Sequence, residues 1–305
     1  MRLAVVILNY NTPGDTIACL KSLKQAKLPK GLHVETTLVD NASTDDSVDL
    51  IKPKFPEVRL IENITNQGFA GGNNVGIKAA LEENPTHILL LNPDTLVDQN
   101  FFVSILNSAI TNPKVGIVTP LIYFAKGYEF HQKYAKSELG KVVWSAGGQL
   151  DWANVYGTNA HVDEVDKGQF KQIKDTDFAT GACMLIRRQV IDQIGLLNQN
   201  YFLYLEDLEF CQRAKRAGWR IVFDPSIKIW HKVSQSSGIG SSLNDYFITR
   251  NRLLFGLRYA PLRTKLALLR EAIRFLIFGR PAQKTAVADF FTFKLGRGSF
   301  LGRQT

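Results

Sequence analysis

The stretch His87-Ile88-Leu89-Leu90-Leu91-Asn92-Pro93-Asp94-Thr95 decides the fold. Four consecutive apolar residues, Ile88 to Leu91, run straight into a turn tetrad carrying one carboxylate. An apolar run of this length bounded by turn residues reads as a strand buried on both faces, as in a parallel sheet. In open α/β sheets ligands sit beyond the carboxyl ends of the strands, where Asp94 falls.

Upstream, the same unit recurs. Leu3 to Leu8 reads as a strand ending in Asn9-Tyr10-Asn11-Thr12, and Thr12-Pro13 with Asp15 starts a helix. Val34 to Val39 ends in Asp40-Asn41-Ala42-Ser43, and a helix with Asp45 and Asp46 near its start follows. Val58 to Ile61 leads through a Gly-rich segment into a helix reaching Leu81; downstream come a helix over Phe101 to Ile110 and a strand over Val115 to Val118. Strand starts recur about every 25 to 30 residues, the size of a strand-plus-crossover-helix unit. The fold class is therefore α/β, a doubly wound, mostly parallel sheet.

After Pro120 the rhythm stops. Tyr123 to Gln172 reads as loops and short hairpins. Order returns with a small-residue turn and strand over Phe178 to Ile186 and a helix over Arg188 to Ile194. A helix carrying Leu208, Cys211 and Ala214 on one face follows, then short strands at Ile221 to Phe223 and Lys228 to His231. Three segments are expected: 1–120, 121–240, and a basic helical 241–305.

With 305 residues, one large α/β domain with ample core is within reach. Cys19, Cys183 and Cys211 form no Cys-x-x-Cys pair, which favours buried thiols in a reducing compartment over a disulfide framework or zinc site. Leu3 to Leu8 is too short for a secretory signal. The most apolar late segment, Leu266 to Phe278, is cut by Arg270, Glu271 and Arg274 and does not read as a membrane span. The expected location is the cytoplasm.

Three successive candidate strands end in polar loops: Asn9 and Asn11, Asp40 and Asn41, Asn92 and Asp94. A parallel sheet gathers such loops at one edge, which favours a nucleotide pocket over unrelated turns, although an isolated Asp after a strand commonly caps its own turn. Gly68, Gly71, Gly72 and Gly76 open a helix, either as a phosphate cradle or to let it pack closely on the sheet. They lack Gly-x-Gly-x-x-Gly spacing and follow the third strand, which disfavours a nicotinamide site.

Asp94 gains weight when paired with His231. One carboxylate, one imidazole and two diphosphate oxygens would suit Mn²⁺ or Mg²⁺, the nitrogen favouring Mn²⁺; a lone His beside Trp230 is otherwise more often structural. Glu206, Asp207 and Glu209 fall in the first turn of a helix, where the macrodipole alone favours carboxylates. The apolar run Tyr201 to Leu205 before them would set two carboxylates at a cleft mouth, where an ionised Asp can serve as general base.

The ordered set Val6-Ile7-Leu8-Asn9-Tyr10-Asn11, Val39-Asp40-Asn41-Ala42-Ser43, Asn66-Gln67-Gly68-Phe69-Ala70-Gly71-Gly72-Asn73, Leu91-Asn92-Pro93-Asp94, Thr180-Gly181-Ala182 and Tyr204-Leu205-Glu206-Asp207 resembles glycosyltransferase family 2, in particular its rhamnosyltransferase-like branch. The resemblance covers residues 3 to 255. It implies a GT-A fold and inverting, metal-dependent transfer from a nucleoside-diphosphate sugar, with dTDP-L-rhamnose the expected donor. The expected acceptor is a lipid-linked saccharide of cell-surface polysaccharide assembly. It further implies Asp207 as catalytic base, Asp94 and His231 as metal ligands, and Asp40 at the base or ribose. Asn9, Asn11, Asn41, Gly71, Gly72, Asn73, Asn92 and Arg250 join the donor side; Thr180, Gly181 and Glu206 join the acceptor side. Asn92 departs from the Asp that opens the family's metal motif, although Asn-Pro-Asp is usual in this branch. A UDP-hexose or UDP-galactofuranose donor is the same-fold alternative. A nucleotidyltransferase should show a Gly-rich basic loop after the first strand, which Asn9-Tyr10-Asn11-Thr12 is not. The intact Glu206-Asp207 pair argues against a non-catalytic binding protein.

The charge is unevenly placed. Residues 251–305 carry eleven Lys and Arg against Glu271 and Asp289, which accounts for the whole net charge of +9. Leu262, Leu266, Leu269, Ile273 and Leu276 recur at helical spacing among Arg263, Lys265, Arg270 and Arg274. Such a helix suits an anionic membrane surface, here over residues 262–280, or else covers the neighbouring domain with its charges in solvent. Base-stacking motifs for nucleic acid are absent.

Overall fold

The computed structural model describes residues 1–110, 112–131, 133–233 and 241–300. The expected segment boundary at 240 and the last five residues, Arg303 among them, lie outside these.

The first half forms as the sequence reads. Strand β1 (Arg2–Asn9), helix α1 (Pro13–Gln25), β2 (His33–Asp40), α2 (Ser47–Ile51), β3 (Arg59–Glu62), α3 (Gly68–Leu81) and β4 (His87–Leu91) follow in order. These four strands are parallel, in the spatial order β3-β2-β1-β4. All five residues of β4 are buried, because helices cover both faces of the sheet. Alternate side chains serve opposite cores: Val6, Ile88 and Leu90 belong to one, and Val5, Ile7, Leu89 and Leu91 to the other.

The second half adds β5 (Thr95–Val97), α4 (Phe101–Ile110), β6 (Val115–Phe124), β7 (Val143–Ser145), β8 (Gly148–Asp151), β9 (Tyr156–Asn159), β10 (Lys174–Asp175), β11 (Cys183–Arg187), α5 (Arg188–Ile194), α6 (Glu206–Arg216) and β12 (Arg220–His231). The main sheet runs β10-β12-β6-β11-β4-β1-β2-β3, with β5 on β12 and β7 on β6; β8 and β9 form a separate hairpin. The chain ends in α7 (Ser242–Tyr259), α8 (Leu262–Phe278) and α9 (Pro281–Phe291).

The sheet is mixed and mostly parallel, as expected, with β11 inserted antiparallel between β6 and β4. Two points differ from the sequence reading. Strand β6 continues through Pro120 to Phe124, and the two short strands expected at 221–223 and 228–231 are the single strand β12 beside it. A proline donates no backbone hydrogen bond, and β12 absorbs the gap with a register shift between Asp224 and Lys228, opposite Pro120 and Leu121. Strand β5, hidden within the turn after β4, was not foreseen; it pairs Thr95 with His231.

The glycines of α3 set how close it sits to the sheet. A Cβ at Gly72 would lie 2.4 Å from Leu8 Cδ1, and one at Gly76 would lie 2.4 Å from Val6 Cγ1. Among the described residues no helix is long and apolar enough to cross a membrane.

Candidate active site

The three parallel strands deliver their polar loops to one edge, and those loops hold one another. Asn9 Nδ2 donates to Asp40 Oδ1 at 2.7 Å, and the Ser43 backbone N–H and hydroxyl donate to the same carboxylate. Asn9 Oδ1 accepts from the hydroxyls of Thr12 and Thr16. Asn11, in the left-handed region at φ 53°, accepts from the Thr44 N–H. Asn41 accepts from Asn63 Nδ2 and the Gln67 N–H, and donates to Asn66 Oδ1 and the Gly68 carbonyl. Asn9, Asp40 and Asn41 are buried, so their hydrogen bonds spend themselves on loop shape.

The Gly-rich start of α3 does not form a phosphate cradle. The Phe202 carbonyl accepts from the N–H groups of Phe69 and Ala70 at 2.7 and 3.3 Å, filling the donors an anion would use. Gly71 and Gly72 pack against Gln67 and Leu8, and the buried Asn73 donates back to the Phe69 carbonyl. Gly68 is the conformationally demanding glycine: its φ is +70°, and a Cβ there would meet the Phe202 oxygen at 2.4 Å.

Asp94 and His231 do meet. Asp94 Oδ1 and His231 Nε2 are 3.1 Å apart, with 14% and 8% of their side chains exposed. Strand pairing enforces this: β5 sets Thr95 opposite His231, and the Lys232 N–H donates to the Asp94 carbonyl. The two atoms are not aligned as a hydrogen bond, and Asp94 Oδ1 and His231 Nδ1 are buried without a hydrogen-bond partner among the described residues. A carboxylate oxygen and an imidazole nitrogen converging in this way fit two ligands of one divalent cation. Among the described residues no third His, Cys, Asp or Glu joins them, so the remaining ligands would be substrate or solvent oxygens. The imidazole packs edge-on against Trp144 at 4.5 Å; Trp230 turns away, donating to the Gly140 carbonyl. Asn92 is half-buried just before this pair, its N–H donating to the Ala182 carbonyl.

That bond ties Asp94's loop to the other reactive element. Cys183 in β11 stands opposite Leu91 in β4, so Thr180-Gly181-Ala182 lies where β4 ends. The Gly181 N–H donates to Asp207 Oδ2 at 3.0 Å, and the Leu208 N–H donates to Asp207 Oδ1 at 2.7 Å. Half-buried Thr180 accepts from the Ala182 N–H. The neighbouring Glu206 is buried, and its Oε2 has no partner among the described residues. Burial raises the affinity of both carboxyls for protons, and the adjacent Asp207 pushes Glu206 well above the usual range. Backbone N–H groups oppose the shift at both carboxyls, those of Gly181 and Leu208 at Asp207.

The turn that presents this pair is backbone-strained. Phe202, Tyr204 and Leu205 have φ of 61°, 69° and 66°, a conformation costing about 1–3 kcal/mol per non-glycine residue. Two residues of α7 hold it. Asn251 Nδ2 donates to the carbonyls of Tyr201, Leu203 and Tyr204, all at 2.8 Å. Arg250 donates to the carbonyls of Asn200, Tyr201 and Gly296 and is fully buried. Arg250 was expected beside a diphosphate; every nitrogen of its guanidinium is instead engaged within the fold.

Sequence reasoning missed the Phe202 carbonyl, the edge contact from Trp144, and Lys232, whose ammonium pairs with Asp15 at 2.8 Å beside the Asp94 loop. Lys232 directly follows His231, and that adjacency was the available signal.

The chain matches the family described as "Glycosyltransferase like family 2" over residues 2–256. It is 28% identical over 255 residues to a low-salt glycan biosynthesis hexosyltransferase, Agl10, of Haloferax volcanii, covering 83% of this chain and 74% of that one. It is 26% identical to an N-acetylglucosaminyl-diphospho-decaprenol L-rhamnosyltransferase of Mycobacterium tuberculosis, covering 77% and 78%. Among solved structures, a mannosyltransferase of Pyrobaculum calidifontis in complex with GDP-Man and Mn²⁺ superposes with a TM-score of 0.54 at 16% identity, covering 94% of this chain and 73% of that one. The shared fold is of the GT-A type.

Proposed function

Because the chain belongs to glycosyltransferase family 2, we propose that it moves L-rhamnose from dTDP-L-rhamnose, with inversion, onto a hydroxyl of a lipid-linked saccharide during cell-surface polysaccharide assembly. The observation that carries this reading is the Glu206–Asp207 pair, with Asp207 held by the Gly181 and Leu208 N–H groups, on a braced turn beside the Asn92–Asp94 loop. The rhamnose donor and lipid-linked acceptor draw support from the mycobacterial relative's name and from the Asn92-Pro93-Asp94 motif.

Asp207 takes the proton of the acceptor hydroxyl as that oxygen attacks the anomeric carbon from the face opposite the leaving diphosphate. Asp94 and His231 would hold a divalent cation, which when bound supplies neutralising charge for the diphosphate.

The test is a thermal-shift panel of nucleoside-diphosphate sugars with and without Mn²⁺, followed by NMR of the product's anomeric configuration. The largest Mn²⁺-dependent shift is expected with dTDP-L-rhamnose, and an inverted product. A dominant response to UDP-hexoses or UDP-galactofuranose would replace the donor, and a retained configuration would remove Asp207 from its role.

A further inference from the structure

Helix α8 has two apolar faces and buries only the smaller. Thr264, Leu268 and Ala272 pack inward. Leu262, Leu266, Ile273 and Ile277 face outward, half or more exposed, and Phe278 at the helix end is 80% exposed. Leu262, Leu266, Ile273 and Ile277, four and seven residues apart, fall on one face of the helix.

The charges beside the stripe are all of one sign. Arg263, Arg270 and Arg274 are exposed along it. The two acids of the segment are consumed elsewhere: Glu271 pairs with Arg252 at 3.1 Å, while Asp289 is buried and accepts from Tyr246 and Ser299. A second copy docking through this face would set arginine against arginine. A surface carrying negative charge above an apolar layer matches both features.

We propose that the outward face of α8 docks on an anionic lipid bilayer, the aliphatic stripe entering the interface and the arginines meeting lipid phosphates. This deepens the reading of a lipid-linked acceptor and rests on it for its purpose. Helix α8 is also tied to the acceptor side through its other face. Arg252, which holds Glu271 of α8, donates to the Asn154 carbonyl at the tip of the β8–β9 hairpin. That hairpin packs on α6, since a Cβ at Gly157 would lie 2.6 Å from Leu208.

The test uses the full chain and vesicles containing neither donor nor acceptor, so its result does not depend on sugar transfer. Co-sedimentation with phosphatidylglycerol-containing vesicles is compared with pure phosphatidylcholine vesicles. Binding should favour the anionic vesicles and weaken with salt. Each basic residue near such a surface is worth roughly fivefold in affinity, so Arg263→Gln/Arg270→Gln/Arg274→Gln should lower it roughly a hundredfold. The double variant Ile273→Glu/Ile277→Glu should abolish it, with the melting temperature little changed because both positions are exposed. Equal binding to both vesicle types, or unchanged binding by either variant, overturns the proposal. So does a concentration-dependent dimer lost in the Ile273/Ile277 variant while vesicle binding persists. If vesicle binding fails and transfer to a detergent-solubilised acceptor persists, this proposal falls and the transferase reading stands.

Discussion

Asp94 Oδ1 and His231 Nε2 stand 3.1 Å apart, brought together by the pairing of β5 with β12 and not by a hydrogen bond between them. Buried atoms left without a hydrogen bond, here Asp94 Oδ1 and His231 Nδ1, cost free energy unless a cation or substrate completes them.

Asp94→Ala and His231→Ala should therefore each remove the Mn²⁺-dependent part of the thermal shift given by a nucleoside diphosphate. A cation at about a hundredfold its Kd adds roughly 2.7 kcal/mol to stability. Chelation of the wild-type protein should have the same effect. A metal-dependent shift unchanged in both variants would place the cation elsewhere.

Asp207→Asn should lower transfer by about 10²- to 10⁴-fold, the usual worth of a positioned base. Nucleotide binding, read by thermal shift, should survive. Asparagine cannot take a proton but can still accept the Gly181 N–H.

The pH dependence separates the two carboxyls. Burial raises Asp207 above the ordinary aspartate value, so the acidic limb of kcat/KM should lie above the range of a free aspartate, activity falling as pH drops through it. Glu206→Gln should retain most of the activity with that limb little moved, because burial and the neighbouring Asp207 both push Glu206 toward its neutral form. A large shift of the limb to lower pH would mean that Glu206 is charged in the working enzyme.

Asn251→Ala should lower kcat far more than it changes the donor KM. It unties the turn before Glu206 from the two N–H groups that Asn251 shares among three carbonyls, each N–H worth about 1 kcal/mol as a hydrogen bond, in a segment that already stores strain. If Asn251 only stabilised the fold, the variant would melt earlier with unchanged kcat below its melting temperature.

His87 predicts an acid sensitivity separate from catalysis. Burial, then Arg187 and the N-terminal ammonium, push its pKa down to about 4. The unfolded chain takes up that proton near 6.5, so the contribution is complete above that pH and is lost as pH falls toward 4. The loss should reach roughly 3 kcal/mol. Urea midpoints at pH 7 and 4.5 should differ less in His87→Gln than in wild type.

The sequence by itself determined the α/β class, the run of strands and crossover helices to Leu81, and the helices of residues 101–110, 188–194 and 262–278. These are local: periodicity, turn residues and a buried-strand pattern are properties of neighbours in the chain. It also singled out Asp94 and His231 at strand ends that gather at one edge, and Asp207 in the first turn of a helix after an apolar run. Tertiary structure decided the rest. Whether a glycine receives a phosphate or a carbonyl depended on Phe202, which reaches α3 from a distant part of the chain. Whether Arg250 met substrate or fold depended on the turn beneath α7. Pro120 marked an end by local rules, yet a bulge in its partner strand carried β6 onward. Asp94 and His231 became a pair because three residues of β5, too short to stand out in the sequence, set them side by side.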